Sequence, residues 1–478
     1  MKIARRVAVL LLSTLLLTNL TGAAALQDDM KGRRERLMQL LTPESMLILW
    51  SAPERVYSGD VNYPYRQESN FFYLTGIEQP ESVLVILPGN KTRKEFLFIR
   101  PRDAVREHWE GHTLSADEAV QLSGMTTVYQ TKDFDPFIDA VLSGKPFERE
   151  NAPAANEYDI FFAALKDSKA QLVTVPASAA NVTKLRERFP GIQQRDVAQL
   201  FARLRSIKTD YEQKLLIESA RISAEAHREG MRVARPNVWE YQVQAAMEYV
   251  FKRDGAIGWG YPSIVASGPN ATTLHYEAST RQMKDGDLLL VDAAANYKYM
   301  TTDITRTYPI NGKFTQAQKD IYQIVLRAQD EGIKVAVKGA SLGEVNAKTV
   351  EVIKDGLLKL GLITETRGQQ YSNWYTHSSS HWIGLDVHDV GERNARLADG
   401  MAFTIEPGIY IRQAALDNLA KTPENQAFIE KVQPMVDKYK DIGVRIEDSY
   451  IMVDGKAKSI SPGIPRTVEE IEAFMKTR

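Results

Sequence analysis

Three of the seven histidines in this sequence fall within one short stretch, His377-Ser-Ser-Ser-His381-Trp-Ile-Gly-Leu-Asp-Val-His388-Asp-Val-Gly391. A lone histidine is more often a satisfied core or surface residue than a ligand. Three at spacings of four and seven, interleaved with Trp382, Ile383, Leu385 and Val387, point to imidazole chemistry. The serines compete for backbone hydrogen bonds and no Glu follows His377, which argues against a helix carrying two zinc ligands. The alternation after His381 predicts a strand leaving a turn, with His388 at its far end.

Acidic residues also stand where strands should be apolar. Lys284-Asp285-Gly286-Asp287 reads as a turn, and Leu288 to Val291 as a buried strand ending in Asp292. The chain returns through Tyr299 to Arg306, so Asp292 and Asp303 can face each other across a hairpin. Two carboxylates there repel in a low dielectric unless a cation lies between them; a solvated edge is the alternative. The pattern repeats at Asp399-Gly400, where Glu406 lies six residues past the glycine, as Asp292 lies six past Gly286. A further apolar strand carries Arg445-Ile446-Glu447-Asp448, with Glu447 facing inward.

Charge selects among the possible occupants. Asp292, Asp303, Glu406 and Glu447 bring four negative charges and His381 a neutral nitrogen, a set that two divalent cations would neutralise. Oxygen-rich ligation with one imidazole suits Mn²⁺, with Zn²⁺, Co²⁺ or Fe²⁺ also feasible. Two such ions about 3.5–4 Å apart share a hydroxide and polarise a carbonyl, which makes the expected chemistry hydrolysis.

The elements that position these groups need a large fold. A chain of 478 residues exceeds what one core usually supports, so two domains are expected. A net charge of −1 argues against a nucleic-acid partner, and the absence of cysteine removes disulfides, a lipidated cysteine and any thiol nucleophile. Residues 1–25 read as a secretory signal peptide: Lys2, Arg5 and Arg6 precede the apolar run Val7 to Leu17, and Ala23-Ala24-Ala25 offers a cleavage site. That run is too short to span a bilayer. The expected product is exported, periplasmic or secreted, with no stable membrane anchor after cleavage.

Residues 26–205 are expected to form an α/β domain with a mixed sheet. It would hold a helix over Gly32 to Leu41, strands at Met46–Trp50, Val83–Leu87 and Phe96–Ile99, and a capping box at Ser115/Glu118. An aromatic-rich segment, Tyr63-Pro-Tyr-Arg-Gln to Phe71-Phe-Tyr-Leu-Thr-Gly76, is more often packing than recognition, with Asp60 and Arg66 the polar members able to reach a ligand. Residues 206–478 are expected to open with a helix from about Tyr211 to Val233, capped by Thr209 or Asp210, and a second ending near Arg253.

The set Asp292, Asp303, His381, Glu406 and Glu447, with His275 in Leu274-His-Tyr276 and the phrase from His381 to Gly391, resembles the metallopeptidases of the pita-bread fold. The likeness is greatest to aminopeptidase P, the Xaa-Pro aminopeptidase, with prolidase the nearest relative, and Tyr63 to Gly76 is similar to the N-terminal domain of bacterial aminopeptidase P. The resemblance implies an N-terminal α/β domain of the creatinase/aminopeptidase P type before a pita-bread catalytic domain of α+β character. It implies that Asp292 chelates one metal, that His381 and Glu406 hold the other, and that Asp303 and Glu447 bridge them. A bridging hydroxide would attack the carbonyl before proline in a proline-containing peptide, with Glu406 shuttling the proton. His275, His377 and His388 would line the site, His388 stabilising the oxyanion and His275 positioning substrate. Arg445 would orient the bridging carboxylates, Tyr410 would stand near the metals, and Asp60 would approach the substrate's amino end. A homo-oligomer, dimer or tetramer, is expected, with Trp109 reaching into a neighbouring site.

Ser378 departs from the Gly common in relatives, and the segment 412–441 looks extended, a candidate cleft cap or oligomer contact. Two rival readings are a prolidase, whose need for a cation Arg393 or Arg396 could meet, and a metal-free pita-bread binding module.

Overall fold

In the computed structural model, which describes residues 25–149, 152–155, 158–174, 180–188, 192–392 and 394–478, apolar runs bounded by Gly and Pro become strands. Residues 1–24, which hold nearly all of the expected signal peptide (1–25), and Arg393 lie outside the described residues. The chain divides into two compact units between Leu204 and Arg205. No helix among the described residues is long and apolar enough to cross a membrane.

The first unit opens with a helix over residues 25–40. Its sheet comprises β1 (Ser45–Trp50), β2 (Val83–Ile86), β3 (Glu95–Ile99), β4 (Val128–Gln130), β5 (Gln171–Thr174) and β6 (Gln193–Asp196), in the order β6-β5-β1-β2-β3-β4. The sheet is mixed: β1 runs antiparallel to β2 and parallel to β5. Met46, Ile48, Val85, Phe96 and Phe98 build its core against Phe137 and Phe161. Ser115 and Glu118 form the expected capping box. Phe71, Tyr73 and Leu74 are fully buried on the helix Ser69–Thr75, so that part of the aromatic segment is packing.

In the second unit, Thr209 caps α1 (Asp210–Val233) in a capping box with Glu212, and α2 (Glu240–Arg253) packs against it. Strands β7 (Ile264–Ser267), β8 (Leu288–Asp292) and β9 (Thr305–Pro309) form one antiparallel sheet. After the paired helices α3 (Gln316–Val335) and α4 (Leu342–Lys359) come β10 (Ala402–Ile405), β11 (Gly408–Ile411), the helix α5 (Pro423–Tyr439), β12 (Ile442–Arg445), β13 (Asp448–Val453) and β14 (Lys456–Ser459). One sheet orders β10-β13-β14 and another pairs β11 with β12.

The repeated Asp-Gly device is real in three dimensions. Gly286 and Gly400 both adopt φ +86°, a left-handed conformation that favours glycine, and each turn launches a buried strand toward a carboxylate. In the β8/β9 pair Asp292 lies opposite Thr305, with Asp303 just before β9. In the β10/β13 pair Ile405 lies opposite Asp448, so one further step along the register sets Glu406 opposite Glu447.

Two local expectations are corrected. Arg445 to Asp448 is not one strand: β12 ends at Arg445 and β13 starts at Asp448, in different sheets. Between them the Ile446 amide donates to Pro407 and the Glu447 amide to Thr305, so the backbone turns a corner and the Glu447 carboxylate points inward. Nor is Trp382 to Val387 a strand. Only isolated bridges, Trp382 to Phe403 and Thr301 to Gly384, precede a bend over residues 385–388, because the Asp389 amide folds back to the Trp382 carbonyl. Within segment 412–441, α5 buries Phe428, Val432, Val436 and Tyr439 in the main core.

Candidate metal centre and active site

The ends of β8 and β10, with the residues just before β9 and β13, deliver four carboxylates to one place. Ligand atoms of Asp292, Asp303 and Glu447 lie within 4.8 Å of one another, as do those of His381, Glu406 and Glu447. His381 Nδ1 lies 3.0 Å from the Trp382 carbonyl, to which it donates. That bond leaves Nε2 facing the acids, 3.3 Å from Asp303 Oδ2, 3.5 Å from Glu406 Oε1 and 3.8 Å from Glu447 Oε1. A ring fixed through its other nitrogen in this way is the usual arrangement of a ligating histidine.

The surrounding residues hold these acids in place. Arg445 donates to Asp292 Oδ2 at 2.6 Å, to the Tyr410 hydroxyl at 2.9 Å and to the Thr305 hydroxyl at 3.1 Å, while Thr305 donates to Glu447 Oε2 at 2.8 Å. His377 Nε2 is 2.8 Å from the Tyr410 hydroxyl, and its Nδ1 is 3.7 Å from Glu406 Oε2. The His388 ring stands edge-on to His381 with centroids 4.4 Å apart. His388 and His275 are both exposed, and His275 is near enough to help lower the His388 pKa, behind burial and His381. Ser378 is exposed, and its carbonyl lies 2.9 Å from His377 Nδ1.

Sequence reasoning missed Tyr261 and Thr305. The half-buried Tyr261 places its hydroxyl 2.7 Å from Asp292 Oδ1 and 2.5 Å from Asp303 Oδ1, with its one proton between them. An aromatic hydroxyl just before Pro262 and β7 was the available signal. Asp60 is exposed in the first unit at the turn of the short hairpin Val56–Ser58/Val61–Asn62, and Trp109 is 82 % exposed there. Arg396 is exposed and paired with Glu344, which leaves it a poor anchor for a dipeptide carboxylate.

The profile of metallopeptidase family M24 matches residues 214–454, and that of the aminopeptidase P N-terminal domain matches residues 30–148. The chain is 34 % identical over 463 residues to the Xaa-Pro aminopeptidase of Escherichia coli, covering 94 % of this chain and 98 % of that one. The chain belongs to metallopeptidase family M24. It is also 33 % identical over 458 residues to the Xaa-Pro aminopeptidase of Haemophilus influenzae, covering 94 % of this chain and 97 % of that one. Aminopeptidase P from E. coli with the inhibitor Pro-Leu superposes with a TM-score of 0.79 at 31 % identity, covering 94 % of this chain and 98 % of that one. Aminopeptidase from Pseudomonas aeruginosa does so at 0.78 and 32 %, with the same coverage. The second unit is therefore the pita-bread catalytic domain of an M24 metallopeptidase, and the first carries an aminopeptidase P N-terminal domain.

The donor set fits divalent cations. Glu447 Oε1 is buried without a hydrogen-bond partner, an unmet charge that a cation would satisfy. Burial, then its acidic neighbours, pushes Glu406 up to about 8 and Glu447 up to about 7, and raises Asp303 well above its ordinary value. Burial would raise Asp292 too, but the Arg445 charge and the hydrogen bonds from Tyr261 and Arg445 hold it low. Burial opposes charge on His381, yet the nearby carboxylates of Asp303, Glu447 and Glu406 hold its pKa well above the ordinary value. By contrast, burial and then Arg445 keep His377 neutral, at about 4.

These directions set a pH signature for the metal-free enzyme. Raised carboxyls bind more protons folded than unfolded, so their stabilising contribution is complete below the ordinary value of 4.5 and is lost as pH rises through about 7 and 8. His381 acts in the same direction. His227, His377 and His388 oppose this, but only below their ordinary 6.5. Chelator-treated protein should therefore melt several degrees lower at pH 8 than at pH 6.5. Added Mn²⁺ should stabilise most at the higher pH, because its ligands must be deprotonated. Scanning calorimetry checks this, and a melting point flat or rising over that window contradicts it.

Proposed function

We propose that the protein is an exported dinuclear-metal Xaa-Pro aminopeptidase, removing an N-terminal residue that precedes proline. The observation that carries the reading is that the likeness to Xaa-Pro aminopeptidases runs through both units while Asp292, Asp303, His381, Glu406 and Glu447 gather in the second. When bound, two divalent cations, Mn²⁺ in our reading, supply an activated water and polarise the scissile carbonyl. The protein's own groups do the rest. Glu406 accepts a proton at its carboxylate and passes it to the leaving imino nitrogen of proline. His388 donates to the developing oxyanion, and His275 and Tyr410 position the substrate. Arg445, with Thr305, keeps Asp292 and Glu447 aimed inward.

A dedicated enzyme is needed because an Xaa-Pro bond has no amide hydrogen and a fixed φ. The trans isomer is the expected substrate, and slow isomerisation limits the cis fraction. Cleavage in the periplasm or outside the cell rests on the leader-like residues 1–25, and assembly into a dimer or tetramer is part of the same reading.

Assay of Ala-Pro against Ala-Pro-Pro with added Mn²⁺ tests the specificity. The expected result is release of alanine from the tripeptide; turnover of the dipeptide alone would make the enzyme a prolidase. Two equivalents of bound metal in active protein are also expected, and a fully active protein with one would refute the dinuclear reading.

A further inference from the structure

The bend that carries His388 is held by a buried ion cluster formed by residues far away in the chain. Asp389 and Arg205 have side chains only 1 % and 2 % exposed, and Lys208 2 %. Arg205 Nη2 donates to Asp389 Oδ1 and, at 2.7 Å, to Asp386 Oδ2, while Lys208 Nζ donates to Asp389 Oδ2 at 2.7 Å. Lys208 Nζ also donates to the Arg205 carbonyl, tying the two cations together. The Asp389 carboxylate rests directly on Gly384: a Cβ there would collide with Asp389 Oδ2 and lie 2.7 Å from Lys208 Nζ. The backbone bonds Asp389 N to Trp382 O and Gly384 N to Asp386 O close the bend from within.

We infer that Arg205 and Lys208, acting through Asp389, are positioning residues for His388. None of the three is among the groups gathered at the metal centre. Two cations on one buried carboxylate is a costly arrangement for stability alone, since desolvating charges offsets much of their attraction. Its geometric consequence is that residue 388, next in sequence to the clamped Asp389, is set with its ring 4.4 Å from His381. An exposed imidazole on an irregular segment would otherwise sample many orientations, and a catalytic donor must be held to within a fraction of an ångström. The inference rests on His388 being catalytic, as proposed above.

Lys208→Met tests it, because Arg205 remains to neutralise Asp389. In the otherwise native enzyme kcat should fall on the order of 10–10²-fold with KM and bound metal little changed. In a His388→Ala background the same substitution should cost nothing further, because the residue it positions is gone; Lys208→Arg should restore part of the loss. A role in overall stability would instead reduce activity equally in both backgrounds, and that result overturns the inference. A crystal structure of Lys208→Met separates this from the role of His388 itself. If His388→Ala alone leaves kcat intact, the catalytic reading of His388 fails, and the clamp is then judged by whether the His388 ring has left its place over His381. An unmoved ring overturns it. Should Lys208→Met not fold, Asp386→Asn, on a side chain 38 % exposed, removes one arm of the clamp and is read by the same kinetics and structure.

Discussion

Glu447→Gln should lose metal binding and activity together while making the metal-free protein more stable. Glu447 contributes an atom to both the Asp292/Asp303 group and the His381/Glu406 group, so its loss disturbs both. One oxygen is held by the Thr305 hydroxyl and the other is buried without a hydrogen bond. An amide of the same shape cannot neutralise a divalent cation, so metal affinity should fall by more than the ~10–100-fold typical of losing an outer hydrogen-bond partner. Burial and the charge of Glu406 push the Glu447 carboxyl up to about 7, so at pH 8 the metal-free native protein carries a buried anion that the amide relieves. Metal content, residual turnover and the melting point of the chelated variant at pH 8 check the two halves. A variant that retains two metals, or one that melts lower than chelated native protein, contradicts the assignment.

His388→Ala should do the opposite: keep both metals and lose turnover, by on the order of 10²–10³-fold in kcat, the usual cost of removing one oxyanion donor. The reason is its place in the site. His381 bonds Trp382 through one nitrogen and points the other at three carboxylates, whereas His388 stands edge-on to His381 with an exposed ring. Burial, His381 and His275 all lower its pKa, which favours the neutral imidazole with one N–H to donate. The geometry also supplies the counter-case, since ligand atoms of Asp303, His381 and His388 gather within 4.8 Å. Loss of metal on this substitution would make His388 a ligand and not a donor to substrate.

The acids and the histidine gathered at the site were legible because each belongs to a short, local pattern. An Asp-Gly turn followed by an apolar run ending in a carboxylate specifies a buried strand with a charge at its end. Two such runs plus Asp303, Glu447 and His381 contain a concentration of charge that divalent cations would neutralise. The capping boxes at Ser115 and Thr209 were legible for the same reason, as their bonds close within one helical turn.

What the sequence determined by itself was thus the inventory: which acids and which histidine the fold gathers, and the order in which strands deliver them. Tertiary structure decided the arrangement. The corner at Ile446 and Glu447 exists because Thr305 and Pro407 offer carbonyls there, the two acids of the first hairpin are joined by Tyr261, and the predicted strand after His381 gives way to a bend held by Asp389. Arg205 and Asp389 are 184 residues apart in the chain. A periodicity read over a few residues cannot anticipate an ion cluster formed across such a separation, and that cluster outweighs the local preference for extended chain.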